Sequence, residues 1–350
     1  MPRASTTRLV KSSARMAFQW ARRTASDKRG ATMNILIEGT YSEEEREIFD
    51  HTFSRHNATY LDDVTPEGGL GDAQVLVFRS WRTVAPLLPS MKRLAFMQYL
   101  FAGVDRLDFS KIPAHVTVAS CSVSNATPVA EHAFAMLLAL SKRIKEHHES
   151  VGKGVFSQQS PLATELAGKR IGIIGYGEIG ARIGRYARAF EMEVYAVNST
   201  GTSDADITVT LGGLHGILHD LDFIVLSIPL TLHTRGLIDA SALSMMQDDA
   251  TLINVSRGEI IVEGDLYEHL VSHPDFSAGL DVWWHYPHKG ERWEQAHPFL
   301  ELPNVLATPH NAAMVEGWRL RTVRYCSENV LRYMEGKEVK NKVRKEDYLM

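Results

Sequence analysis

From Met33 onward, short apolar runs alternate with polar segments of helical length. In the first third the runs are Ile35-Leu36-Ile37, Val75-Leu76-Val77-Phe78, Leu94-Ala95-Phe96-Met97 and Val116-Thr117-Val118-Ala119. Brief runs of this kind read as strands, and their alternation with helix-like stretches predicts a small α/β layer domain. Thr127-Pro128 then reads as a helix start, threonine as the cap and proline in the first turn. Residues 129–140 are apolar nearly all round, which predicts a helix buried between packed elements at the junction of two domains.

The alternation restarts at Arg170. Ile171-Gly172-Ile173-Ile174 leads into Gly175-Tyr176-Gly177-Glu178-Ile179-Gly180, with Ile179, Ile183, Tyr186, Ala187 and Phe190 at helical spacing, and Val194-Tyr195-Ala196-Val197 reads as the next strand. A strand, glycine turn, helix and strand in this order is the context that a dinucleotide-binding fingerprint requires. Gly175 permits the tight turn, Gly177 lets the backbone approach a pyrophosphate, and Gly180 lets helix and strand pack closely. Further runs at Phe223-Ile224-Val225-Leu226, Thr251-Leu252-Ile253-Asn254, Ala278-Gly279-Leu280 and Val305-Leu306-Ala307 extend this to a six- or seven-strand, mostly parallel sheet. Residues 316–334 have helical character and, lying beyond the last strand, are expected to pack back on the first domain.

Composition narrows the class. A chain of 350 residues with 44% hydrophobic and 23% charged positions has room for about two cores. No apolar stretch approaches the roughly 20 residues of a membrane-spanning helix, so a membrane role is not expected. Cys121 and Cys326 are too few for a disulfide framework or a zinc cluster; no metal is expected, and the thiols fit a reducing, cytoplasmic setting. Residues 1–32 hold eight Lys or Arg and one acid, leaving 30 basic and 41 acidic residues for the remainder, which offers no nucleic-acid surface. The basic segment reads either as a disordered or non-native extension before Met33 or as a mitochondrial transit peptide.

The chemistry concentrates after three later strands. Arg257 in Asn254-Val255-Ser256-Arg257-Gly258, Asp281 in Leu280-Asp281-Val282 and His310 in Thr308-Pro309-His310-Asn311 each lie at or just beyond a strand end. In a parallel sheet such positions share the edge where ligands bind, and a guanidinium, a carboxylate and an imidazole there suit chemistry on a small anion.

With these in order, the chain resembles the D-isomer-specific 2-hydroxyacid dehydrogenases. Supporting matches are Phe101-Ala102-Gly103-Val104-Asp105, Val129-Ala130-Glu131-His132, Ser227-Ile228-Pro229-Leu230-Thr231 with Thr234, and Pro303-Asn304-Val305. The resemblance covers essentially everything from Met33. It implies two Rossmann- or flavodoxin-like α/β domains with doubly wound parallel sheets, a cofactor domain over 125–314 inserted in a substrate domain over 33–124 and 315–350. It also implies an active site in the cleft between them and, as in many members, a homodimer formed through the cofactor domain. Arg257 then binds the substrate carboxylate and polarises the reacting carbonyl, and His310 is the general acid/base. Asp281 orients the nicotinamide carboxamide, while Ala102, Gly103 and Asn125 contact substrate, with a tight turn or helix capping as their bland alternatives. Gly175, Gly177, Glu178, Ile179, Gly180, Asn198, Pro229, Thr234, Val255 and Ser256 line the cofactor. The implied reaction moves a hydride between NAD(P) and C2 of a small 2-hydroxy or 2-oxo acid. Two rivals stand beside it: a cofactor-sensing corepressor-like protein, and formate oxidation, against which Val255 and Ala312 depart from that enzyme's pattern.

Two departures from the family pattern matter. The position five residues after Asp281, usually the glutamate that bonds the catalytic histidine, is Tyr286, with Glu291 or Glu294 as candidate substitutes. A phenol is neutral near pH 7 and does not hold the imidazole protonated, so reduction of a 2-oxo acid is expected to have an acidic optimum. The second departure is Val197-Asn198-Ser199-Thr200, where NAD-binding units carry an acid for the ribose hydroxyls and NADP-preferring relatives often an arginine. Lacking both, the chain is expected to use NAD with NADP accepted. Trp283, Trp284 and Tyr286 are read either as an aromatic wall for substrate or as a core cluster.

Overall fold

The computed structural model describes residues 32–64, 70–159, 161–288 and 290–349; the basic segment before Thr32 lies outside them. The chain forms two compact units. One runs up to Cys121 and resumes over Arg319–Lys345, and the other comprises Ser122–Trp318 with the residues from Glu346 on.

The first unit is built on β1 (Asn34–Ile37), β2 (Asn57–Tyr60), β3 (Val75–Phe78), β4 (Phe96–Tyr99) and β5 (Thr117–Ala119), all parallel in the order β2-β1-β3-β4-β5. Helix α1 (Glu43–Thr52) starts at Ser42, whose hydroxyl accepts from the Glu45 amide while the Glu45 carboxylate accepts from the Ser42 amide. This reciprocal pairing satisfies two end amides that water otherwise must. Phe49 of α1 is fully buried with Ile35, Ile37, Val75, Val77 and Phe96, a placement that stabilises by about 1.5–3 kcal/mol for a side chain of that size. The C-terminal helix, Trp318–Met334, closes the same core with Val323, Cys326 and Val330. Its buried Asn329 donates to the Gln98 side chain at 2.8 Å and to the Lys340 carbonyl, so the amide pair is satisfied inside an apolar layer.

The second unit has seven parallel strands: β6 (Arg170–Ile174), β7 (Glu193–Asn198), β8 (Ile207–Thr210), β9 (Phe223–Leu226), β10 (Thr251–Asn254), β11 (Ser277–Leu280) and β12 (Val305–Ala307). Their order, β12-β11-β10-β9-β6-β7-β8, reverses direction between β6 and β9, the crevice where doubly wound sheets bind ligands. Helices α2 (Ala126–Ser141) and α3 (Glu178–Ala189) pack on one face with Ile171, Ile173 and Val225.

Local differences from the sequence-based expectations have simple causes. The α2 cap is Asn125, and Thr127 is the second helical residue, where its hydroxyl accepts from the Arg182 guanidinium at 3.1 Å. Pro128 still falls in the first turn, where a missing amide costs nothing. Along α2 one face is buried, whereas Glu131 and Ala135 are exposed, so it is not enclosed all round. Strand β4 begins at Phe96, two residues later than the apolar run; Leu94 is buried as a turn residue instead. β2 and β8 were not expected. Both are four-residue edge strands with largely polar, partly exposed positions, so neither carries an apolar run.

Candidate active site at the carboxyl edge of the second sheet

Asn254, Leu280 and Ala307 are aligned across β10, β11 and β12, so the three loops that follow leave the sheet at one level. Arg257, Asp281 and His310 lie on those loops. The Asn254 side chain, fully buried, accepts from the Ser256 amide at 3.0 Å and donates to the Arg257 carbonyl at 2.8 Å, folding the turn that presents the guanidinium. Arg257 itself is extended (φ −143°, ψ 145°) and one of its terminal nitrogens donates to the Ser256 carbonyl. A Cβ on Gly258 would lie 2.4 Å from the Trp283 carbonyl carbon, so this loop and the one after β11 touch backbone to backbone.

Asp281 is 1% exposed, and its carboxylate gathers the His310 loop from both sides. Oδ1 accepts from the Thr308 hydroxyl at 2.5 Å and the Asn311 amide at 3.0 Å, and Oδ2 from the Ala312 amide at 3.1 Å. Between these anchors His310 adopts φ 56°, a left-handed conformation that costs a non-glycine residue on the order of 1–3 kcal/mol and persists only where its surroundings enforce it. His132 of α2 reaches the same knot, its Nε2 3.0 Å from the Thr308 hydroxyl and 3.6 Å from Asp281. Neither Thr308 nor His132 was assigned this part from sequence; the spacing of a loop and a helix far apart in the chain carries no local signal for it.

Tyr286 lies beside the imidazole, the ring centroids 5.4 Å apart and the planes tilted by 46°. Its hydroxyl accepts from the Trp283 amide at 3.1 Å. Glu291, one candidate for the missing carboxylate, accepts from the His288 amide, and Glu294 is exposed. The two tryptophans resolve to core. Trp283 packs edge-on against Trp293 and donates to the Thr308 carbonyl, while Trp284 stacks on Phe299 and donates to the Ile261 carbonyl.

At the switch point, Gly175 has φ 98°, and a Cβ there would meet the Ile228 amide nitrogen at 2.5 Å; the Ser227 hydroxyl donates to its carbonyl. A Cβ on Gly180 would meet the Gly175 carbonyl oxygen at 2.5 Å, which is the close helix–strand approach. Gly177 differs. A Cβ on it would meet nothing within 4 Å, so the space beside the α3 N-terminus is open. Helix α3 has no side-chain cap there, and its first-turn amides, from Glu178 and Ile179 on, have no intrahelical acceptor, which fits a pyrophosphate.

Asn198 accepts from the Thr200 and Gly201 amides and donates to the Thr202 carbonyl, so its side chain shapes the loop after β7. Thr234, 4% exposed, donates to the Pro229 carbonyl and accepts from the Thr231 amide, closing the loop after β9. Val255 is buried and Ser256 bonds the Ile228 carbonyl, tying the loops after β9 and β10 together. Asn125 makes no capping bond with its side chain. Ala102 and Gly103 belong to the first unit, in the loop after β4, beside an exposed Phe101.

Residues 134–312 match the model of the D-isomer specific 2-hydroxyacid dehydrogenase NAD binding domain. The chain is 32% identical over 244 residues to hydroxypyruvate reductase of Thermotoga maritima, covering 69% of this chain and 78% of that protein. It is 30% identical over 274 residues to D-3-phosphoglycerate dehydrogenase of Archaeoglobus fulgidus, covering 77% of this chain and only 51% of that protein, so it spans about half the length of that relative. Among solved structures, an acyclic imino acid reductase in complex with NADPH and D-Arg superposes with a TM-score of 0.73 at 26% identity, covering 89% of this chain and all of that one.

Proposed function

The chain belongs to the D-isomer specific 2-hydroxyacid dehydrogenase family, and we propose that it transfers a hydride between NAD(P) and C2 of a small 2-hydroxy or 2-oxo acid. One observation carries this reading: three loops bearing Arg257, Asp281 and His310 leave adjacent strands in register, in the same sheet as the open glycine turn. A bound reduced nicotinamide supplies the hydride. Arg257 pairs with the acid's carboxylate through its planar fork and draws electron density from the neighbouring carbonyl. The imidazole of His310 gives its proton to the oxygen as alkoxide develops, and takes it back in the oxidative direction. Asp281 keeps that imidazole presented by pinning its loop, besides its proposed contact with the nicotinamide carboxamide. The second unit is thus the proposed cofactor unit, and Ala102, Gly103 and Asn125 are the proposed substrate contacts.

The end of β7, Asn198 followed by Ser199 and Thr200, offers neither an acid nor an arginine, which supports NAD as cofactor with NADP accepted. Ile144, Val151, Val155, Phe156 and Leu162 are all exposed on the second unit, and a second copy of the chain is the proposed cover, giving a homodimer. The proposed location is the cytoplasm; no described helix is long and apolar enough to cross a membrane.

A second substrate class is favoured by Tyr286. A 2-imino acid that binds protonated, as the iminium C=N–H+, takes up hydride to give the neutral amine with no further proton donor, and a neutral neighbour for His310 is then no handicap. The decisive experiment is a panel of 2-oxo acids, from glyoxylate and hydroxypyruvate to phenylpyruvate, with NADH and NADPH across pH, alone and with ammonia or methylamine. Turnover lost in Arg257→Ala and His310→Ala supports the enzyme; turnover appearing only with the amine selects the imine. Tight cofactor binding with no turnover on any acid would sink both and favour a cofactor-sensing protein.

A further inference from the structure

Two thiols that the proposed reaction does not use lie together in the core of the first unit. Cys121 follows β5 and Cys326 sits on the C-terminal helix, at 4% and 0% exposure in one apolar cluster. Both are fastened to the same short stretch of backbone. The Cys121 amide donates to the Phe101 carbonyl at 2.9 Å, and the Cys326 sulfur lies 4.0 Å from the Tyr99 carbonyl oxygen. The two thiols lie close enough for each to disfavour the other's ionisation. Around them the Gln98 side chain donates to the Ser120 carbonyl at 3.2 Å and accepts from Asn329 at 2.8 Å, which fixes the chain next to Cys121 and the helix next to Cys326.

We propose that Cys121 and Cys326 form a redox pair that peroxide slowly closes to an intramolecular disulfide. A peroxide oxidises one thiol to a sulfenic acid with loss of one water, and the second thiol attacks that sulfur and expels its oxygen as a second water. The S–S bond replaces two S–H bonds, and one peroxide is reduced by two electrons. The neighbouring thiol is what diverts the sulfenic acid from further oxidation. Burial sets the rate: it pushes the Cys326 thiol well up, so little thiolate exists near neutrality and closure is slow compared with a free thiol. The chain leaves the first unit at Cys121 and re-enters it at Arg319. The disulfide therefore staples the exit segment to the re-entering helix, within the first unit.

The test reads mass and is independent of any activity. The full-length protein is reduced, freed of reductant, exposed to hydrogen peroxide, then denatured and alkylated. The expected product is unalkylated and lighter by two hydrogen atoms, gives a non-reduced peptide joining Cys121 to Cys326, and reverts with dithiothreitol. Cys326→Ser should lose the cross-link and leave a dimedone-reactive sulfenic acid at Cys121. Both cysteines alkylated after an exposure that oxidises them in the unfolded chain overturns the proposal, as does a cross-link joining two chains.

Discussion

The ring of Tyr286 sits 5.4 Å from that of His310 with the planes tilted by 46°, and the family resemblance expects a glutamate at this position. Replacing the phenol by an acid restores that charge. In Tyr286→Glu the imidazolium is favoured, so the histidine stays a proton donor to higher pH, and the upper limb of the reductive kcat/KM profile should move up by about one pH unit or more. The lower limb of the oxidative profile should move the same way. Identical profiles in the two proteins would show that residue 286 does not tune His310.

Asp281 accepts from the Thr308 hydroxyl and from two main-chain amides, and each bond depends on an oxygen that can only accept. Asp281→Asn turns one oxygen into an NH2 donor facing a donor, which leaves a buried amide unsatisfied at about 1–3 kcal/mol. The left-handed His310 loses part of what enforces it. The expected outcome is a fall in kcat of roughly tenfold to a hundredfold, larger than the change in KM for the acid, with a lowered Tm. A change confined to cofactor affinity would instead make Asp281 a ligand for the nicotinamide alone.

Phe101 stands 40% exposed beside Ala102 and Gly103, the proposed substrate contacts, and its ring meets Tyr99 edge-on at 5.4 Å. Phe101→Ala should lower kcat/KM for phenylpyruvate relative to glyoxylate by about tenfold, the scale of a lost apolar contact of this size. Equal losses on both acids would count against a specificity role.

Buried Glu45 bridges Arg79 and Arg319, with nitrogen–oxygen distances of 2.8 Å on each side. Burial alone would raise its carboxyl, but hydrogen bonds from Arg319, the Ser42 backbone and Arg79 reverse that and hold it down at about 2. A carboxyl lowered on folding stabilises the protein above its unfolded value of about 4.5, and that contribution drains away between there and about 2 as acid is added. Glu45→Gln should therefore flatten acid unfolding in this window and reduce stability at neutral pH by roughly 1–3 kcal/mol, moderated because Arg319 is half in solvent. Chemical denaturation at several pH values reads both effects.

The central strands were legible because each is buried on both faces and so reads as an unbroken apolar run. Edge strands such as Asn57–Tyr60 and Ile207–Thr210 meet solvent on one side, alternate in polarity and vanish into their flanks. The glycine turn and the order of Arg257, Asp281 and His310 were equally plain, since they follow strand ends. What escaped was where side chains spend their hydrogen bonds. Asn198 folds its own loop, Trp283 and Trp284 pack inward, and His132 meets Thr308, each decided by neighbours that only the folded chain brings near.

Gly258 leaves no room for even a methyl group against the Trp283 carbonyl, so the stretch carrying the guanidinium and the stretch carrying the phenol have no slack between them. Energetically they form one variable. Free-energy losses measured for single replacements at Arg257 and at Tyr286 should not sum in the double variant, and the shortfall gauges how rigidly one loop dictates the other.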